Sequence, residues 1–295
     1  MQLTGVWLPI ITPFKNGKID FDSYKNLIDH YMNTGISGII PLGTTGEVPT
    51  LSDFEFEEMI EMTMEYVNGK LPVYVGVGGN NTAKVLKKIQ IAEYYDIQGI
   101  LSVCPYYNKP SQEGIYQHFK AIAEETDLNI ILYNIPYRTG VNIENETIHR
   151  LAAIKNIIGL KDACGDIKQT MSLLMEPPEN FFILTGEDIF FYLTLTMGGH
   201  GGILASSHIK TELFVKVYKK IKEENDHEAA FDLWKELYDF IPLLFKEPNP
   251  TPIKYCLSEQ GLIQSPEVRL PLTQITESLK KQLDQTVLEK MLIYV

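Results

Sequence analysis

The sequence predicts an α/β fold, a (β/α)8 TIM barrel with a C-terminal helical extension, on three observations. Short apolar or β-branched runs alternate with longer segments of helical periodicity up to about residue 223. The runs number eight, and they recur every 25 to 30 residues or so, which leaves room for a crossover helix after each. The first run leads into Thr12-Pro13-Phe14 rather than a glycine-rich nucleotide fingerprint, so a doubly wound dinucleotide fold is disfavoured.

The strand candidates are 5–11, 38–42, 73–77, 99–103, 130–134, 157–161, 182–185 and 202–205. Helices are expected to start at Asp22, before Tyr24, Leu27, Ile28 and Tyr31; at Ser52, with Glu55 three residues on as a capping box; and at Thr82, before Val85, Ile89 and Ala92. Beyond residue 224 the alternation stops. The span 228–245 reads as one amphipathic helix through Ala230, Leu233, Trp234, Leu237, Tyr238 and Ile241. Pro248, Pro250 and Pro252 make 247–252 a rigid connector before a helix over 253–259, and a last helix is expected over 277–293. The expected organisation is a catalytic barrel over 1–224 and a helical domain over 225–295, its helices packed on the barrel or on a neighbouring subunit.

Composition narrows the function. The 295 residues are 44% hydrophobic and 22% charged, a globular balance. Lys and Arg total 26 against 38 for Asp and Glu, and the net charge of -12 argues against a nucleic-acid partner, which needs clustered cations. The N-terminus lacks a cationic start and a long apolar stretch, and no apolar run approaches membrane-spanning length, so a soluble cytoplasmic protein is expected. Cys104, Cys164 and Cys256 are widely spaced, which encodes neither a disulfide framework nor a zinc site. The six histidines show no ligand spacing, so no metal is expected.

In such a barrel the active site lies at the C-terminal strand ends. Lys161 ends the sixth run, and burial there would depress its pKa and free a nucleophilic amine of the Schiff-base kind. The other reading is a rim lysine paired with Asp162 or Glu187. Gly43-Thr44-Thr45-Gly46 offers backbone N–H groups and two hydroxyls, suited to a small carboxylate, though it is equally an ordinary βα turn. Tyr107 and Tyr133 could relay protons, and Arg138 could hold a carboxylate in a bidentate grip. Gly76-Val77-Gly78-Gly79-Asn80 lacks the third glycine of a dinucleotide loop, and the glycine stretch around His200 belongs to the opposite face of the barrel, where tight packing explains it. Cys164 has no histidine placed to activate it.

Gly43-Thr44-Thr45-Gly46-Glu47, Tyr133-Asn134-Ile135-Pro136 and Gly159-Leu160-Lys161-Asp162 together resemble the motifs of the pyruvate-dependent class I lyases, the superfamily that includes dihydrodipicolinate synthase and N-acetylneuraminate lyase. The resemblance spans the chain, through Cys104 to Pro110, Gly198 to Gly201, and the run Glu247-Pro248-Asn249-Pro250-Thr251-Pro252-Ile253-Lys254. It implies that Lys161 condenses with pyruvate, that the Thr44–Thr45 loop seats its carboxylate, and that Tyr133 donates the proton. Thr44 would then link Tyr133 to a Tyr107 inserted from the neighbouring subunit. Gly186 and Ile203 match positions lining the pyruvate pocket. Arg138 resembles the residue that binds the carboxylate of L-aspartate 4-semialdehyde in the synthases, which favours them over the sialic acid and 2-keto-3-deoxy sugar-acid lyases. The resemblance further implies no external cofactor and a homotetramer built as a dimer of dimers. Cys164, in place of a common Ser or Thr, and Tyr137, in place of a smaller residue, depart from the pattern and imply a rim of different shape. In the feedback site for lysine Asn80 and Tyr106 match, but Val48, Pro49, Asp53, Phe56 and Lys84 replace the Ser, Ala, two His and Glu of strongly inhibited members, which implies weak or absent inhibition by lysine.

Overall fold

The computed structural model describes residues 3–288. Eight parallel strands, β1 (Gly5–Leu8), β2 (Gly38–Ile39), β3 (Tyr74–Gly76), β4 (Gly99–Val103), β5 (Asn129–Asn134), β6 (Ile157–Asp162), β7 (Phe182–Thr185) and β8 (Gly201–Ile203), run round the molecule in chain order. β8 pairs back onto β1, and a parallel bridge between Ile39 and Val73 joins β2 to β3 and closes the ring. The fold is the (β/α)8 barrel that the alternation predicts. β1 and β2 are shorter than expected because Pro9 and Pro41 follow them, and proline has no N–H for the ladder.

The barrel helices are α1 (Phe21–Tyr31), α2 (Asp53–Val67), α3 (Thr82–Ala92), α4 (Gln112–Glu124), α5 (Asn145–Ala152), α6 (Ile167–Met175), α7 (Phe191–Thr196) and α8 (Thr211–Lys222). The Ser52–Glu55 capping box opens α2 as expected. Two starts shift. Asp20, not Asp22, caps α1 by accepting from the Ser23 N–H at 3.1 Å, so Asp22 falls inside the first turn. Asn81 caps α3 through the Lys84 N–H, while the Thr82 hydroxyl is engaged by His118 Nδ1 at 2.9 Å.

Past the barrel lie α9 (His227–Tyr238), α10 (Ile241–Leu244), α11 (Thr251–Glu259) and α12 (Glu277–Leu283), the last running into a π-helical turn over Asp284–Leu288. The single helix expected over 228–245 is two, because Pro242 cannot donate within a helix but fits the first turn of a new one. Pro252 likewise sits in the first turn of α11, which starts at Thr251 rather than 253. The end of the expected last helix, beyond 288, lies outside the described residues.

Alternation along the strands sorts the core into two layers. On β5, Ile130 and Leu132 face the helices while Ile131 and Tyr133 face the barrel interior, with Trp7, Ile40, Tyr74, Leu101, Leu184 and Ile203. Trp7 and Tyr74 meet edge to face across it, with ring centroids 5.3 Å apart. The outer layer continues into the extension, where Trp234 packs on Phe191 and Phe214. Past α9 the chain turns over the C-terminal ends of the strands and brings Phe245 and Asn249 to the barrel mouth.

Candidate active site

The same alternation sets the direction of Lys161. Leu160 belongs to the outer layer, so Lys161 turns inward, and register pairs it with Tyr133 on one side and Leu184 on the other. Its ammonium lies 4.3 Å from the centroid of the Tyr133 ring, and only 6% of the residue is exposed. Burial lowers its pKa to about 8, with Asp188 opposing the shift and Arg138 adding to it. Among the described residues no carboxylate lies within ion-pair distance of it. Asp162, expected as a rim partner in the alternative reading, instead accepts from the Cys164 N–H at 3.1 Å and the Thr170 hydroxyl at 2.5 Å.

Lys161 opens into a cavity of about 320 Å³ lined by Thr44, Thr45, Tyr133, Arg138, Gly186 and Asp188, with Glu187, Asn249 and Phe245 at its wall. Gly186 is glycine for a steric reason. A Cβ there would stand 2.5 Å from Lys161 Cε, so the lysine side chain lies against a surface that tolerates no methyl group. Tyr133 is buried and hydrogen-bonds with Thr44; burial raises its pKa well above the usual phenol value, so it stays protonated and can give a proton. Thr45 Oγ1 accepts from Asn249 Nδ2 at 3.0 Å. Arg138 sits on a helical turn, Pro136–Thr139, that follows β5, with its guanidinium against the Tyr137 ring.

Six of the eight expected site residues thus meet at one cavity. Thr44, Thr45, Tyr133, Arg138, Lys161 and Gly186 line it; Ile203 does not, and lies fully buried in the interior layer with Tyr133 and Leu184. Tyr107 does not line it either. It is 87% exposed, with a left-handed backbone at φ 71°, and this chain does not carry its phenol into the cavity. An adjoining cavity of about 250 Å³ shares Thr44, Tyr133 and Arg138 and reaches Val48, Pro49 and Tyr106.

Sequence reasoning passed over Asp188, which is buried, accepts from both the Ser206 N–H and hydroxyl at 2.6 Å, and is pushed up to about 6 by burial. It also passed over Asn249, inside the connector expected over 247–252, and the fully buried Lys254, in the helix expected after it. Cys164 is held by Thr170 at 3.4 Å with its thiol pushed up to about 11, which suits no nucleophile. His200 accepts from the Ile183 N–H at the far end of the barrel, and a Cβ on Gly201 would strike the Gly5 carbonyl at 2.2 Å, so that stretch is close packing. Among the described residues no group of three His, Cys, Asp or Glu side chains could hold a metal ion, and no helix is long and apolar enough to cross a membrane.

A (β/α)8 barrel with a desolvated amine at the tip of its sixth strand, beside a protonated phenol and a guanidinium, is the architecture of a Schiff-base lyase. The sequence model of the Dihydrodipicolinate synthetase family matches residues 2–290, and the chain belongs to that family. It is 58% identical to 4-hydroxy-tetrahydrodipicolinate synthase 2 of Clostridium acetobutylicum over 97% of this chain and 99% of that one. The crystal structure of dihydrodipicolinate synthase from Thermotoga maritima superposes with a TM-score of 0.95 at 40% identity, covering 99% of this chain and 100% of that one. The chloride-inhibited enzyme from Acinetobacter baumannii, solved in complex with pyruvate, superposes with a TM-score of 0.93 at 35% identity over 97% and 98% of the two chains.

Proposed function

We propose that the protein condenses pyruvate with L-aspartate 4-semialdehyde to give 4-hydroxy-tetrahydrodipicolinate, a carbon-oxygen lyase activity of lysine and diaminopimelate biosynthesis. The observation that carries the proposal is Lys161: buried, without an ion-pair partner among the described residues, pushed down to about 8, and opening on a cavity that also holds Thr44, Thr45, Tyr133 and Arg138. At pH 7 roughly one such amine in ten is neutral, against fewer than one in a thousand for a free lysine.

The neutral amine adds to the ketone carbon of pyruvate, and loss of water gives a protonated Schiff base. Tyr133 donates the proton that the departing hydroxyl needs, and Thr44 holds that phenol in place. The pyruvate carboxylate rests on the Thr44–Thr45 loop. The Tyr133 phenolate then takes a methyl proton to yield an enamine, whose terminal carbon attacks the aldehyde carbon of the second substrate, and the phenol returns that proton to the new alkoxide. Arg138 pairs with that substrate's carboxylate and fixes which face is attacked. The substrate's own amine next attacks the Schiff-base carbon, closes the six-membered ring and expels the Lys161 amine. Each step uses amine, hydroxyl, phenol or guanidinium groups of the chain, and no cofactor is invoked. Gly186 shapes the pyruvate end of the pocket.

The names carried by the relatives favour this reading over an N-acetylneuraminate lyase or a 2-keto-3-deoxy sugar-acid aldolase. We further propose a homotetramer of cytoplasmic location, a dimer of dimers in which each chain lends its exposed Tyr107 to its neighbour's site. Borohydride reduction in the presence of pyruvate, followed by peptide mass analysis, tests the chemistry. The added mass is expected on Lys161, and an adduct elsewhere or none at all refutes the proposal.

A further inference from the structure

The loop that seats the carboxylate is held in an unfavourable shape. Leu42 before it and Glu47 after it both adopt left-handed backbone, at φ 61° and φ 53°, although neither is glycine. Such residues persist only where their surroundings over-determine them. Within the loop the Gly46 and Glu47 N–H groups reach back to the Gly43 and Thr44 carbonyls at 3.1 Å, and the Thr12 hydroxyl donates to the Gly46 carbonyl at 2.8 Å. The remaining constraints arrive from the other end of the sequence.

Glu47 is 2% exposed and forms an ion pair with the wholly buried Lys254 of α11. Its second carboxylate oxygen accepts from the Arg269 N–H at 3.1 Å. Lys254 is itself fixed three ways, by Glu47, by the Glu267 carbonyl at 2.9 Å, and by the Phe14 ring with its centroid 4.2 Å away. From the same extension Asn249 donates to Thr45. A buried ion pair contributes little net stability compared with apolar side chains of the same volume, but it specifies orientation closely. Here the residue oriented is two positions from Thr45 and three from Thr44.

We propose that the Glu47–Lys254 pair is a clamp through which the C-terminal extension sets the geometry of the Thr44–Thr45 loop and hence the affinity of the site for pyruvate. Neither residue lines the cavity, so both are positioning residues that act through the two threonines. The proposal rests on the reading of that loop as the pyruvate carboxylate seat. It separates the two substrates: the pyruvate end depends on the clamp, whereas the second substrate is held by Arg138 on the turn after β5 and does not.

The test is steady-state kinetics with both substrates varied, on the full-length wild type, Lys254→Met and Glu47→Gln. Lys254→Met is expected to raise the KM for pyruvate about tenfold or more, with kcat and the semialdehyde KM within about threefold of wild type. Glu47→Gln keeps one acceptor oxygen, enough for Lys254, but turns its amide NH2 towards the Arg269 N–H, so its pyruvate KM should rise too, by less than that of Lys254→Met. Should Lys254→Met fail to fold, the double variant Glu47→Gln with Lys254→Met leaves no unpaired buried charge and should show the same pyruvate-specific rise. An unchanged pyruvate KM in a folded variant that lacks Lys254 overturns the clamp, as does a parallel loss of kcat and both affinities, which is what a merely structural role gives. Borohydride trapping of the wild type separates the two ideas. A normal pyruvate adduct on Lys161 beside an unchanged variant KM sinks the clamp alone; no adduct removes the pyruvate reading and the clamp with it.

Discussion

Among the described residues two lysines are buried, Lys161 at the mouth of the barrel and Lys254 where the extension meets it, and they differ in what faces their charges. Burial pulls both ammonium groups down. Lys254 has Glu47 against it, pushing its pKa back up, with a backbone carbonyl and an aromatic face beside it. Lys161 has no ion-pair partner among the described residues, and Asp188, the carboxylate that most favours its charge, is itself occupied by Ser206 and pushed up to about 6. Burial lowers both to about 8, and what separates them is the partner: Lys254 is held against Glu47 and a backbone carbonyl, whereas Lys161 faces an open cavity.

The sharpest break of that comparison is the same substitution made twice. Lys161→Met should lower turnover by about a thousandfold or more, since nothing replaces the amine. It should also stabilise the fold: a pKa lowered from 10.5 to about 8 makes this lysine cost about 3 kcal/mol at neutral pH. Because the folded pKa lies below the unfolded one, the unfolded chain binds the extra proton. The penalty is complete below about pH 8 and fades as pH rises towards 10.5, so the gain from Lys161→Met should shrink along that range. Lys254→Met should go the other way and destabilise by about 3 to 5 kcal/mol, because Glu47 is left buried without its cation. Urea melts of both variants at pH 7 and pH 9.5 read these signs, and like signs at pH 7 would erase the distinction.

A smaller effect sharpens the division between the two substrates. Arg138→Ala should raise the KM for aspartate semialdehyde by about tenfold or more while pyruvate trapping on Lys161 stays near normal. Semialdehyde kinetics left untouched would remove Arg138 from the site. The smallest expected effect concerns lysine as an effector. Phe56 is 1% exposed and built into the core beneath Lys88, and Lys84 is a cation on the exposed face of α3, so neither offers the ligand's ammonium a carboxylate. Half-inhibition by lysine is expected well above millimolar, and a titration midpoint well below it would refute this.

Much of the barrel was legible because period-two and period-3.6 patterns are local. β4 and β7 fall on the residues expected, and the inward direction of Lys161 follows from Leu160 facing out. The errors were local as well: a cap two residues early at Asp20, one residue early at Asn81, and a helix divided at Pro242. Strand-end residues were recoverable because barrel topology says where chemistry sits. The clamp was not, since Glu47 and Lys254 are 207 positions apart and each alone reads as a surface charge. The available signal was a lysine following three prolines and flanked by Ile253 and Tyr255, a setting too apolar for a solvated cation. Asp188 was hidden for a similar reason, its partner Ser206 lying on the next βα loop.

The account turns on the proton affinity of one amine, and the rate of borohydride-trapped pyruvate adduct formation, followed from pH 6 to 10, reads it directly. The rate should climb about tenfold per pH unit, bend near pH 8 and level off, with all of the adduct on Lys161. A bend near 10.5, the value of a solvated lysine, or an adduct on any other residue, would contradict it.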